Sequence, residues 1–168
     1  MPGRTPGRIE LDPRLPPVCV SVRFLGEMAA HARETWPEEC CGLVIGAAGE
    51  RFGEVFRCHN DMTALHFQDP RQHPNDGRRA FHMNEHDYLE VARQARQRGR
   101  EVTAVYHSHV DAGVYFSEVD QEYARAPLFP FPDADHIVLS LVDGRLAAGL
   151  FQRAETGFVG RALVAAAS

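Results

Sequence analysis

The chain has 168 residues, 44% of them hydrophobic and 24% charged, which is the composition of one globular domain with a packed core and excludes a disordered or fibrous chain. Eighteen Lys plus Arg against twenty-three Asp plus Glu leave a formal charge of −5, a balance that argues against nucleic acid as a partner. No apolar run reaches the ~20 residues of a membrane span, and Met1 to Pro17 lacks the apolar stretch of a signal peptide, so the expectation is a cytoplasmic protein with no membrane partner.

In chain order, residues 1–17 hold five of the eleven prolines and read as a disordered extension. Val18 to Val22 alternates as a strand does, and Phe24 to Trp36 has the apolar spacing of a helix that Pro37 ends. Cys41 to Gly46 reads as a strand buried on both faces, with Val55 to Cys58 as its partner. Between His59 and Arg79 the turn signals Asp69-Pro70, His73-Pro74 and Asn75-Asp76-Gly77 predict an exposed loop. Asn84 is placed to cap a helix that runs to Arg98 and stops at Gly99. Val102 to His107 reads as a strand, and Ser117 opens a short helix ending before Pro127. Asp133 and Asp135 are assigned to a solvated loop. Ile137 to Val142 and Leu146 to Phe151 form a hairpin around Asp143-Gly144, its loop length left open by Arg145. The domain is expected over residues 18–160, with 161–168 as a tail whose alanines fray. The four cysteines show no C-x-x-C spacing and are read as buried thiols.

The chemistry concentrates in Tyr106-His107-Ser108-His109 and in Ser117 and Asp120 downstream. Residues i and i+2 of a strand share a face, so His107 and His109 can offer both imidazoles to one metal ion. Asp120, one turn into a helix, can supply the third ligand. Two nitrogens and one oxygen without thiolate suit zinc best, with iron and manganese as the other candidates. Three protein ligands and one open position describe a catalytic site. An ion held there would make hydroxide available at neutral pH and polarise a carbonyl. A second pattern, His82-Met83-Asn84-Glu85-His86, matches H-x-x-E-H, which needs one continuous helix; an extended Phe81 to Met83 and a capping Asn84 speak against it.

His107-x-His109, seven residues, Ser117, two residues and Asp120 form the H-x-H-x7-S-x2-D pattern, and with Glu39-Cys40-Cys41-Gly42 upstream the sequence resembles the JAMM (MPN+) metalloproteases in their minimal bacterial form over roughly Val18 to Phe151. The resemblance implies an α/β fold of JAMM/MPN, cytidine-deaminase-like type, a mixed curved sheet flanked by helices. It implies metal ligation by His107, His109 and Asp120, water activation by Glu39, and oxyanion support from Ser117. It also implies a zinc-dependent hydrolase acting after the C-terminal Gly-Gly tail of a ubiquitin-fold or sulfur-carrier protein. The alternatives are an isopeptidase of a bacterial ubiquitin-like conjugation pathway and a noncatalytic MPN-type scaffold. Val110 and Phe116 stand where many relatives have proline, which leaves Asp111 to Tyr115 to shape the cleft border.

Overall fold

The computed structural model describes residues 7–166. In chain order the elements are β1 (Ile9–Glu10), β2 (Val18–Val20), α1 (Val22–Thr35), β3 (Cys41–Ala47), β4 (Glu50–Cys58), α2 (Met62–Gln68), α3 (Glu85–Gln97), β5 (Glu101–Val110), β6 (Tyr115–Phe116), α4 (Glu118–Arg125), β7 (Asp135–Val142), β8 (Arg145–Ala154) and β9 (Gly157–Ala165). A seven-stranded sheet runs β2-β9-β8-β7-β5-β3-β4. It is mixed: β5 and β7 pair in parallel, as do β2 and β9, and the other neighbours are antiparallel. The mixed α/β class read from the sequence is the observed one.

Alternation along β3 sets the two layers. Val44 faces α1, where Phe24, Met28 and Ala32 pack with Ala104 and Tyr106. Leu43 and Ile45 face the opposite side, against Val91 and Ala95 of α3. Because helices cover both faces, β3 can be an unbroken apolar run with no polar side to offer water. A third cluster joins Phe116, Phe151 and Phe158 to Ile9 and Leu11.

Local chemistry explains the element ends. Ser21 Oγ accepts from Phe24 N–H at 3.0 Å and starts α1, which stops β2 at Val20, two residues short of the expected strand. Asn84 Oδ1 accepts from Asp87 N–H at 3.0 Å and starts α3. Val142 and Arg145 are ladder partners, so the hairpin loop is the two residues Asp143 and Gly144. Their φ values of 50° and 73° match the left-handed pair that suits a strand-to-strand return.

Four expectations are corrected. Within 1–17, residues 1–6 lie outside the described residues, but Ile9 and Glu10 pair with Phe116 and Tyr115, Asp12 N–H donates to Gly160 O at 2.8 Å, and Ile9 and Leu11, partly buried, pack against the cluster of Phe116, Phe151 and Phe158. The tail assigned from 161 is strand as far as Ala165, because β8 and β2 flank it on either side; Ala167 and Ser168 lie outside the described residues. The loop from His59 to Arg79 contains α2. Asp135 opens β7 as a buried residue, 3.3 Å from Arg51. Among the cysteines, Cys40, Cys41 and Cys58 are buried thiols as expected and Cys19 is exposed. No helix among the described residues is long and apolar enough to cross a membrane.

Candidate metal centre

β5 lies between β3 and β7, and its C-terminal end outruns the β3 ladder, whose last partner pair is Cys41 and His107. His109 therefore stands beyond the sheet's close-packed middle, where chain entering β3 can approach it. The approaching chain is Glu39-Cys40. Ser108, between the two histidines, holds it in place: Ser108 Oγ accepts from Cys40 N–H at 2.8 Å, and Ser108 N–H donates to Cys40 O at 3.1 Å.

Asp120 arrives from α4. Ser117 is the N-cap of that helix, and the two residues close a reciprocal box: Ser117 Oγ accepts from Asp120 N–H at 3.0 Å, and Asp120 Oδ2 accepts from Ser117 N–H at 3.1 Å. The box fixes the carboxylate rotamer toward β5. His107 Nε2 lies 3.2 Å from Asp120 Oδ2, His109 Nε2 lies 3.5 Å from it, and the two imidazole nitrogens are 3.3 Å apart. Ligands bound tetrahedrally at zinc distances stand about 3.3–3.5 Å from one another. The three ligand atoms thus form one face of such a tetrahedron, and a His-His-Asp group able to hold a metal ion is present.

The surroundings favour the same state. His109 Nδ1 lies 2.9 Å from Gly113 O; donating a proton there leaves the Nε2 lone pair free for a cation. The His107 ring stacks on Phe81 at 4.5 Å between centroids and is fully buried. Burial alone would raise the Asp120 carboxyl, but the charges and hydrogen bonds of His107 and His109 outweigh it and hold it far below the usual carboxylate range.

Glu39 is as buried as Asp120 and shifts the other way. Burial, then the negative charge of Asp120, push its carboxyl up to about 9; a cation among the three ligands reverses the like-charge part of that push. Its backbone is held on both sides: Glu39 N–H donates to Gly77 O at 2.7 Å, and Glu39 O accepts from Asn60 Nδ2 at 3.0 Å. Glu39, His109, Ser117 and Asp120 line one cleft of about 250 Å³, with His107 behind its wall. All five residues singled out in the sequence converge here. The H-x-x-E-H residues do not: His82 precedes the Asn84 cap, His86 sits in the first turn of α3, and both are exposed.

Sequence reasoning missed Ser108, Asn60 and Phe81. Ser108 carried one usable signal, since alternation on a strand sends it away from the face shared by His107 and His109. Asn60 and Phe81 carried none at short range.

A family model described as prokaryotic homologs of the JAB domain matches residues 21–153. Tail tip assembly protein K of Escherichia phage N15 is 35% identical over 116 residues, which are 69% of this chain and 38% of the phage protein; the chain thus spans well under half the length of that relative. CysO-cysteine peptidases of Mycobacterium tuberculosis and Mycobacterium bovis are 26% identical over 126 residues, 75% of each protein. The solution structure of a protein from Desulfitobacterium hafniense superposes with a TM-score of 0.66 at 20% identity, covering 90% of this chain and 94% of that one, a likeness of fold.

Proposed function

The chain belongs to the family of prokaryotic homologs of the JAB domain, and from that premise we propose that it is a zinc-dependent metallopeptidase. Its substrate on this reading is a ubiquitin-fold sulfur-carrier protein, cut at the peptide or isopeptide bond after the carrier's Gly-Gly tail. The observation that carries the proposal is the tetrahedral-face spacing of His107, His109 and Asp120 with Glu39 and Ser117 in the same cleft. The similarity to CysO-cysteine peptidases supports the carrier as substrate class.

When bound, zinc supplies Lewis-acid polarisation of the scissile carbonyl and a nucleophile at neutral pH. Glu39 takes a proton from the attacking water and returns it to the leaving nitrogen. The water oxygen ends in the new glycine carboxylate, and the C–N bond breaks. Ser117 Oγ accepts from the Asp120 amide, so its own proton is free to point at the oxyanion forming in the cleft. A Gly-Gly tail suits the cleft because a backbone without side chains passes a narrow opening.

The test is to load the purified protein with zinc and offer a ubiquitin-fold carrier extended beyond Gly-Gly, following the carrier mass. Loss of the extension is expected. An intact carrier in the presence of stoichiometrically bound zinc rejects the reading. The phage relative favours a second reading, in which the domain serves assembly of a larger protein structure; it gains weight if that intact-carrier result is obtained.

A further inference from the structure

Two arginines, Arg78 and Arg79, line the catalytic cleft beside Glu39 and also line the adjoining hollow of about 340 Å³ next to His66 and Asp76. They sit in a stretch that reads as a loose loop, yet the structure ties it to the chain on both sides of Glu39. Gly77 O accepts from Glu39 N–H, and Asn60 Nδ2 donates both to Glu39 O and to Ala80 O, at 3.0 and 3.2 Å. Thr63 Oγ1 accepts from Gly77 N–H at 2.9 Å and donates to Glu38. The junction is close-packed, since a Cβ at Gly77 would stand 2.8 Å from Thr63 Oγ1 and 2.9 Å from Glu38 Cδ and would push those side chains aside. The two guanidinium groups are therefore mounted on a wall whose position is set relative to Glu39.

These cations are not used up within the protein. Among the described residues Arg79 forms no ion pair, and Arg78 meets only Asp76, at 3.8 Å and largely exposed to water. Both guanidinium groups thus remain available at the cleft border, and the planar guanidinium fork matches a carboxylate in two parallel hydrogen bonds.

We propose that Arg78 and Arg79 bind the free α-carboxylate of the leaving residue and are thereby the specificity-determining residues that set an α-linked adduct apart from an isopeptide-linked one. The inference rests on the hydrolase reading above and narrows its substrate. In an α-linked leaving residue the carboxylate lies two bonds from the nitrogen that Glu39 protonates, within reach of a long side chain on the same wall. In a lysine isopeptide the leaving nitrogen is followed by an aliphatic stem, which gains nothing from two cations. The arginine pair thus favours the α-linked adduct over the isopeptide-linked one.

The experiment compares acetyl-Gly-Gly-Ala carrying a free carboxylate with its C-terminal amide, on the zinc-loaded protein. Binding is read by calorimetry and release of alanine or alaninamide by mass. The acid is expected to bind about 10–100-fold more tightly than the amide, the range that one or two charge-assisted hydrogen bonds supply. In the double variant Arg78→Gln, Arg79→Gln the acid falls to the affinity of the amide, while Arg79→Lys, which keeps charge without the fork, lies between. Both side chains are exposed, so the variants should fold, and circular dichroism checks it. Equal binding of acid and amide, no binding of either, or an unchanged preference in the double variant overturns the proposal. Preferential binding of the acid with hydrolysis of neither peptide keeps the carboxylate site and rejects the hydrolase reading instead.

Discussion

The cleft has two walls built by different means. The β5 and α4 wall, carrying His107, His109 and Asp120, is fixed by ladder pairing and a capping box. The facing wall, carrying Glu39 and the two arginines, has no ladder beyond the start of β3 and is held by side chains that reach the backbone, above all Asn60 and Ser108. The carboxyls follow the walls. Asp120 and Glu39 are 8% and 5% exposed, so burial does not separate them; two imidazoles hold the Asp120 carboxyl down, while Glu39 has no comparable partner and is pushed up by burial and by Asp120 as long as no cation sits between the ligands. One wall is arranged to hold a cation, the other to exchange a proton, and single substitutions should separate the two tasks.

The largest effect is expected from the first wall. His107→Ala or Asp120→Ala removes a vertex of the tetrahedral face, so bound zinc should fall to background and turnover with it; metal analysis after dialysis checks this, and full zinc content in either variant would break the ligand assignment. Glu39→Gln, on the second wall, should keep zinc and lose about 10²–10⁴ in kcat, the usual worth of a positioned general base. A metal-loaded Glu39→Gln enzyme with normal kcat removes Glu39 from the proton path. Ser117→Ala stands between the walls. It should lower kcat by about 10²–10³ if its hydroxyl supports the oxyanion and cost about 1 kcal/mol as a lost cap; a stability loss without a rate loss would leave Ser117 as a cap alone.

The difference between the walls also governs what could be read in the sequence. His107, His109, Ser117 and Asp120 are legible because strand alternation and helix capping are short-range rules, and each acts within a few residues. The α3 cap at Asn84 and the two-residue return at Asp143 and Gly144 are legible for the same reason. Asn60 is not, because its partners at Glu39 and Ala80 are about twenty residues away in either direction, and nothing local marks a buried amide in a turn-rich stretch. Composition misled twice through the same blindness to distant partners. The prolines of residues 7–17 and the alanines of β9 look loose alone, yet both segments are pinned by strands remote in sequence.

Asn60→Ala sharpens this point. Asn60 is buried and makes four hydrogen bonds, to Glu39 O, Ala80 O, Met62 N and His82 N. Truncation leaves buried backbone groups without partners and should cost about 2–4 kcal/mol, read by denaturant unfolding. Zinc affinity should change little, because the first wall does not use Asn60, whereas kcat should fall as Glu39 loses its anchor. Loss of zinc in parallel with kcat would show that the walls are one unit.

The smallest effect, a dependence of metal-free stability on pH, isolates the proton-exchanging wall by its sign. Glu39 has its folded-state value raised from 4.5 to about 9, so the native state holds a proton that the unfolded chain has released, and stability falls as pH rises through that window. His31 and His136 are shifted oppositely by burial, from 6.5 to about 4 and about 3, so the unfolded chain binds protons that the native state refuses, and stability falls as pH drops below 6.5. Between 4.5 and 6.5 the two histidines outweigh the one glutamate. The metal-free protein should therefore be most stable near pH 6.5 and decline toward pH 9, by about 1–3 kcal/mol on the alkaline side. Glu39→Gln should flatten that alkaline limb and steepen the acid limb between pH 4.5 and 6.5, where the glutamate no longer offsets the two histidines. Added zinc should flatten it too, since a cation beside Asp120 cancels the repulsion that helps keep Glu39 protonated. Denaturant midpoints at pH 5, 6.5 and 8.5 for both proteins, with and without chelator, distinguish these cases; an alkaline limb that persists in Glu39→Gln would assign it to other groups and remove the electrostatic contrast between the walls.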